Sequence, residues 1–179
     1  MPRAAREDFD GAWHHVMNRG AGRQAIFSDD ADRRRFLIEL REASHAIGGR
    51  VGAYCLMATH YHFVLFTPRA GLSRAMQQLS AAYTRAFNQR HERDGPLFRG
   101  RFKSVLIESD AQLIHATLYV HRNPVEAGVV ALAEDWSWSS AGAYIGAQAS
   151  PEWLAAGLVL EMLGGRDPMA EYKRLLDDA

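Results

Sequence analysis

The stretch ATHYHFVLF, residues 58–66, does most to limit what this chain can fold into. It is rich in β-branched and aromatic residues and holds no helix breaker, so it reads as a strand. Side chains alternate along a strand, placing His60, His62, Val64 and Phe66 on one face and Tyr61, Phe63 and Leu65 on the other. Both faces turn apolar after the histidines, which predicts a central strand covered on both sides. The two imidazoles at its mouth lie roughly 7 Å apart at Cβ. From there their ring nitrogens can converge on one metal ion. With 8 His in 179 residues, a His-x-His pair also arises by accident, and two ordinary histidines are the competing reading.

The flanking segments supply the rest of a sheet. AWHHVMNRG (12–20) reads as a first strand ending at Gly20. Ser28 stands where it can cap a helix with Asp29 and Asp30 in its first turn, a stripe of Phe36, Leu37, Leu40 and Ile47, and a stop at Gly48-Gly49. VGAYCLM (51–57) and YHFVLFT (61–67) are strands joined by Ala58-Thr59-His60, which predicts a hairpin. Residues 71–90 predict a second helix, with Leu72, Met76, Leu79, Tyr83 and Phe87 along one side. HERDGPLFRGR is a loop, FKSVLIES (102–109) a fourth strand, and SDAQLIHATLYVHRN a third helix. The order β-α-β-β-α-β predicts an α+β, ferredoxin-like split βαβ fold: an antiparallel sheet with two helices on one face. Residues 1–130 form the expected domain. Residues 131–179 form a tail whose Trp136, Trp138, Trp153, Tyr144 and amphipathic helix near 168–177 predict packing back on that domain.

Net charge is zero, which by itself speaks against a nucleic-acid binder, but its distribution does not. Residues 69–103 carry 8 basic and 2 acidic side chains, whereas residues 104–179 carry 4 basic and 11 acidic ones. The basic segment is either a phosphate-binding surface or a solvated helix face and loop. The single cysteine, Cys55, supports neither a disulfide framework nor a cysteine metal site, and fits a reducing cytoplasm. No apolar run approaches the ~20 residues of a membrane span, and MPRAAREDFDG lacks the apolar stretch of a signal peptide.

The third helix carries the chemistry. Ser109-Asp110-Ala111-Gln112 is a capping box that starts it, and Pro124 predicts an end at Asn123. At 100° per residue, Gln112, His115, Ala116, Arg122 and Asn123 fall within about 60° of Tyr119. Leu113, Ile114, Thr117, Leu118, Val120 and His121 take the opposite arc. Tyr119 therefore sits on a polar face, with Asn123 stacked one turn beyond it and His115 one turn before. A surface tyrosine with a C-terminal Asn cap is the plainer alternative. If the helix meets the strand, His60 and His62 offer nitrogens and Asn123 a carbonyl oxygen. That mixed set suits Mg²⁺ or Mn²⁺ with open positions better than a closed structural zinc. An open hard cation polarises a phosphodiester for in-line attack, and Tyr119 is the candidate nucleophile, helped by cations such as Arg122.

AYCLMATHYHFVLF, LFRGRFKSVLIESD, LYVHRNPVEAGVV and DWSWSSAGAYIG, in this order, resemble the REP-associated tyrosine transposases, members of the His-hydrophobic-His single-tyrosine nuclease superfamily. The resemblance covers about residues 13–146. It implies that His60, His62 and Asn123 bind the metal and that Tyr119 is the nucleophile; His115, on the same helix face as Tyr119, is expected in a supporting place. The implied substrate is single-stranded DNA at the foot of hairpins from repetitive extragenic palindromes, cut through a 5′-phosphotyrosine intermediate without ATP. Arg19, Arg23, Arg99, Arg101, Lys103 and Arg122 would hold the DNA backbone, and Phe98 would either stack a base or be buried. A cytoplasmic, nucleoid-associated monomer or homodimer with no membrane partner is expected. Ala58-Thr59 stands where the family usually has Pro-Asn, which bears on the turn before His60 rather than on the ligands. Two alternatives stay open: a non-catalytic hairpin-DNA binder descended from such an enzyme, and a metal-dependent phosphodiesterase that uses water.

Overall fold

A computed structural model describes residues 9–178, so most of the N-terminal stretch read for a signal peptide lies outside the described residues. Strands β1 (Ala12–Arg19), β2 (Arg50–Leu56), β3 (His60–Thr67) and β4 (Lys103–Ile107) form one sheet in the order β2-β3-β1-β4. Every adjacent pair is antiparallel. With helices α1 (Asp30–His45) and α2 (Leu72–Arg90), this is the ferredoxin-like arrangement expected from the order of elements. β3 lies inside the sheet between β2 and β1, as its two apolar faces require.

One face of the sheet carries Val16, Tyr61, Phe63 and Leu65 and is covered by α1 and α2. Phe36 of α1 meets Tyr61 and Tyr83 with ring centroids 4.8 and 5.0 Å apart. All five residues of the predicted α2 stripe are buried. Phe98 joins this core, 8% exposed and against Tyr61 and Tyr83, so it is packing rather than a base-stacking platform. The cap of α1 is Asp29, not Ser28: its carboxylate accepts from Asp32 N, leaving the serine one residue outside the helix. Buried Asp32 then accepts from Ser28 N, Arg90 and His91, tying the start of α1 to the end of α2.

The other face is covered by α3 (Asp110–Glu126). Ser109 caps it by accepting from Gln112 N, and the Gln112 side chain reaches back to Glu108 N, one residue beyond the usual capping-box partner. The helix does not end at Asn123. Pro124 lies inside it, and bonds from Ala127 N to Asn123 O and from Val129 N to Pro124 O close the last turn. Proline lacks the N–H that would bond the Val120 carbonyl and its ring crowds that carbonyl, but so near the helix end only the last turn bears the cost.

Residues beyond 130 run along the outer edge of β2 and over α3. Leu56 N donates to Trp138 O, Ser140 N to Tyr54 O, and Ala155 N to Val51 O. Helices α4 (Ala141–Tyr144), α5 (Ala156–Leu163) and α6 (Pro168–Asp177) complete the layer. His121 of α3 is fully buried between the Tyr172 hydroxyl and Ser140 Oγ, each 2.7 Å away. No helix among the described residues is long and apolar enough to cross a membrane.

Candidate active site

Alternation on β1 and β3 builds the floor of the site. Met17 lies opposite His62, Arg19 opposite His60 and His15 opposite Val64, all on the face toward α3. His60 and His62 are edge-to-face with centroids 5.3 Å apart. From α3, Tyr119 brings its ring to 5.7 Å from His62 and 5.6 Å from His15, edge-on to both. One turn later, the Asn123 amide oxygen stands 3.0 Å from His60 Nε2. The imidazole pair, the phenol and the amide therefore meet within one chain. Tyr119 is 40% exposed, which an attacking group requires, while Asn123 is buried.

Burial pushes His62 down to about 3, with the neighbouring imidazoles adding to the effect, and lowers His15 to about 4. Both rings are thus neutral at pH 7 and offer lone pairs rather than positive charge. Thr59 Oγ1 lies 3.2 Å from His60 Nδ1. In the hydrogen-bonded arrangement His60 Nε2–H donates to Asn123; with its proton on Nδ1 facing Thr59, the Nε2 lone pair is free.

No group of three His, Cys, Asp or Glu able to hold a metal occurs among the described residues, so a cation here would need an amide oxygen in its shell. The donors fit that role. Two ligands about 2.1 Å from an octahedral ion and at right angles to one another stand about 3.0 Å apart. That is the separation of His60 Nε2 and Asn123 Oδ1.

A cleft of about 680 Å³ opens in front of the histidines, lined by Met17, Asn18, Arg19, His60, His62, Arg99, Gly100, Arg101 and Lys103. Its far wall is built by pairing: Arg99 N donates to Arg19 O, Ala21 N to Leu97 O, and Asn18 Nδ2 to Gly100 O. Gln24 holds the same loop through Leu97 O, and the chain folds back so tightly that a Cβ on Gly20 would overlap the Gln24 carbonyl. Four of the expected DNA-binding cations, Arg19, Arg99, Arg101 and Lys103, thus flank the imidazoles. Arg23 is exposed in the turn after β1, with a left-handed φ of 62°. Arg122 is engaged elsewhere: it donates to Leu175 O and Leu176 O at the end of α6. His115 is exposed on α3 and makes no hydrogen bond or ring contact with the imidazole pair.

The places of His15 and Thr59 are not legible from spacing: Thr59 adjoins His60 in sequence, whereas His15 adjoins His62 only in space, and HH in AWHHVMNRG is its local mark. Using it requires the β1–β3 register, which no local pattern encodes.

A family model described as "Transposase IS200 like" matches residues 9–123, a span that includes the two histidines, Tyr119 and Asn123. A Haemophilus influenzae protein named "Putative REP-associated tyrosine transposase" is 27% identical over 111 residues, covering 56% of this chain and 63% of its own length. The chain thus matches less than two thirds of that relative. The solved structure of a REP-associated tyrosine transposase bound to a REP hairpin superposes with a TM-score of 0.70 at 18% identity, covering 87% of this chain and 92% of the other. That likeness establishes the shared fold. The family match extends over well more than half of the sequence, and the chain belongs to the IS200-like transposase family.

Proposed function

We propose that this protein cuts and rejoins single-stranded DNA beside palindromic hairpins, with Tyr119 as nucleophile and a Mg²⁺ or Mn²⁺ ion held by His60, His62 and Asn123. The observation that carries this reading is the meeting of a phenol from α3 with an imidazole from β3, 5.7 Å between ring centroids, in a cleft edged by four cations. Family membership supports strand-transfer chemistry. Similarity to REP-associated tyrosine transposases, one of them solved on a REP hairpin, supports hairpin DNA as the substrate.

In this reaction the Tyr119 oxygen bonds to phosphorus while the bond from phosphorus to the 3′ oxygen breaks. The phenol loses its proton and the leaving oxygen gains one, giving a 5′-phosphotyrosine and a free 3′-hydroxyl. One phosphodiester replaces another, so an incoming 3′-hydroxyl reverses the step without ATP. The bound cation would supply Lewis-acid polarisation of the phosphodiester. Arg19, Arg99, Arg101 and Lys103 offset phosphate charge and fix the strand in the cleft. A neutral imidazole at His62 keeps its ligand lone pair available.

The test uses hairpin oligonucleotides with single-stranded flanks, labelled at either end and incubated with Mn²⁺. On a denaturing gel the label on the 3′ side should travel with the protein and the label on the 5′ side should not. Tyr119→Phe should abolish the adduct and leave hairpin binding intact. Binding without any adduct in the wild-type protein would point instead to a DNA-binding descendant that no longer cuts. Cleavage that survives Tyr119→Phe would point to water as the nucleophile.

A further inference from the structure

We infer that His15 is a positioning residue for this site: its imidazole accepts the Nδ1 proton of His62 and so turns the His62 Nε2 lone pair toward the cleft. The inference rests on the proposed metal role of His62 and goes beyond it to a residue on another strand.

His14 and His15 are adjacent on β1 and point to opposite faces, so only one of them can reach the site. His14 lies 3.4 Å from Thr67 Oγ1 on the far side of the sheet. His15 lies diagonal to His62, with His15 Nε2 and His62 Nδ1 3.0 Å apart. Both rings are more than nine-tenths buried or close to it, at 9% and 8% exposed. His62 lines the cleft and His15 does not, so His15 stands behind His62 as seen from the substrate side.

Two neutral imidazoles at this distance share one proton between the facing nitrogens, and there are two ways to place it. With the proton on His15 Nε2, His62 must carry its own on Nε2, facing the cleft, and cannot ligate there. With the proton on His62 Nδ1, Nε2 is bare and directed outward. A ligating imidazole commonly gives its second N–H to an acceptor in this way, usually a carboxylate or carbonyl. Here the acceptor is another imidazole, and the choice has an electrostatic reason. A carboxylate in this place would set a negative charge beside Tyr119, whose ring is 5.6 Å from His15, and against an incoming phosphodiester. An imidazole orients His62 without that charge. Thr59 stands in the corresponding place behind His60, 3.2 Å from Nδ1.

Nitrogen NMR of the metal-free protein with labelled histidines reads the tautomer directly: His62 should be protonated on Nδ1. Protonation on Nε2 would overturn the inference without any variant. Mn²⁺ affinity, followed by the spectroscopic signal of the free ion, gives the second readout. His15→Met should weaken binding about 10- to 100-fold, and His15→Gln, which keeps an acceptor near the Nε2 position, should restore most of it. Wild-type affinity in His15→Met with an unchanged His62 tautomer also overturns the inference, while leaving the metal reading intact. If the wild-type protein binds no Mn²⁺, the metal reading falls, and the tautomer still decides whether His15 orients His62.

Discussion

The two faces of the sheet use the same residue types for different ends. On the face toward α1 and α2, Tyr61 is wholly buried among Phe36, Phe63 and Phe98, and burial pushes its phenol far above the usual range. Its hydroxyl faces Asn18 without a well-formed hydrogen bond. On the face toward α3, Tyr119 is 40% exposed and lies edge-on to two imidazoles. The same division separates His14, held against Thr67, from His15, held against His62. Neither tyrosine nor histidine is chemically marked by its own identity. The face it occupies decides whether it fills space or meets a substrate, and a shift of one residue along β1 would exchange the roles.

Substitutions at paired positions should break this division or sharpen it. The largest effect is expected from Tyr119→Phe, which should remove covalent adduct entirely while moving the urea midpoint little, because the side chain is exposed. Tyr61→Phe is its mirror: cleavage unchanged, and stability altered by less than about 1 kcal/mol because the hydroxyl is poorly satisfied.

Acid should act through both sides of α3. His15, His62 and His121 are held down to about 4, 3 and 3, all chiefly by burial, against about 6.5 in the unfolded chain. The unfolded state therefore binds more protons between these limits. Stability is fully present above pH 6.5 and falls below it, by up to about 1.4 kcal/mol per pH unit for each histidine. Urea titrations between pH 7.5 and pH 5 should show this loss, and His121→Gln should flatten it.

Phe36→Ala, on the opposite face, should cost about 3–5 kcal/mol, since the ring touches Phe27, Tyr61 and Tyr83. The activity per folded molecule should persist. The smallest effect is expected from Lys103→Ala at the cleft wall. It should lower the slope of log affinity against log salt by about 0.7, the value for one single-strand phosphate contact, with no change in the cleavage position.

Much of this arrangement was legible in local pattern. Alternation on residues 58–66 identified a central strand, and the 100° periodicity of residues 109–123 put Tyr119 and Asn123 on one side of a helix. Both signals lie within single elements. What escaped depends on pieces distant in sequence. Arg122 is 100° around the helix from Asn123, enough to carry it from the sheet side to the end of α6. Phe98 left two readings open on a loop, and the pairing of that loop with Gly20 decides between them by turning the ring into the core. Pro124 misled because its penalty depends on how near it lies to the helix end.

The segment that borders β2 has a further consequence for anyone who trims the protein. Trp138, Ser140 and Ala155 answer hydrogen-bonding groups that would otherwise face outward from that strand. A version cut after α3 would keep every candidate reactive side chain, yet leave β2 as a bare ribbon ready to zip onto its own kind. Shortening would then yield fibrous precipitate in place of a minimal enzyme.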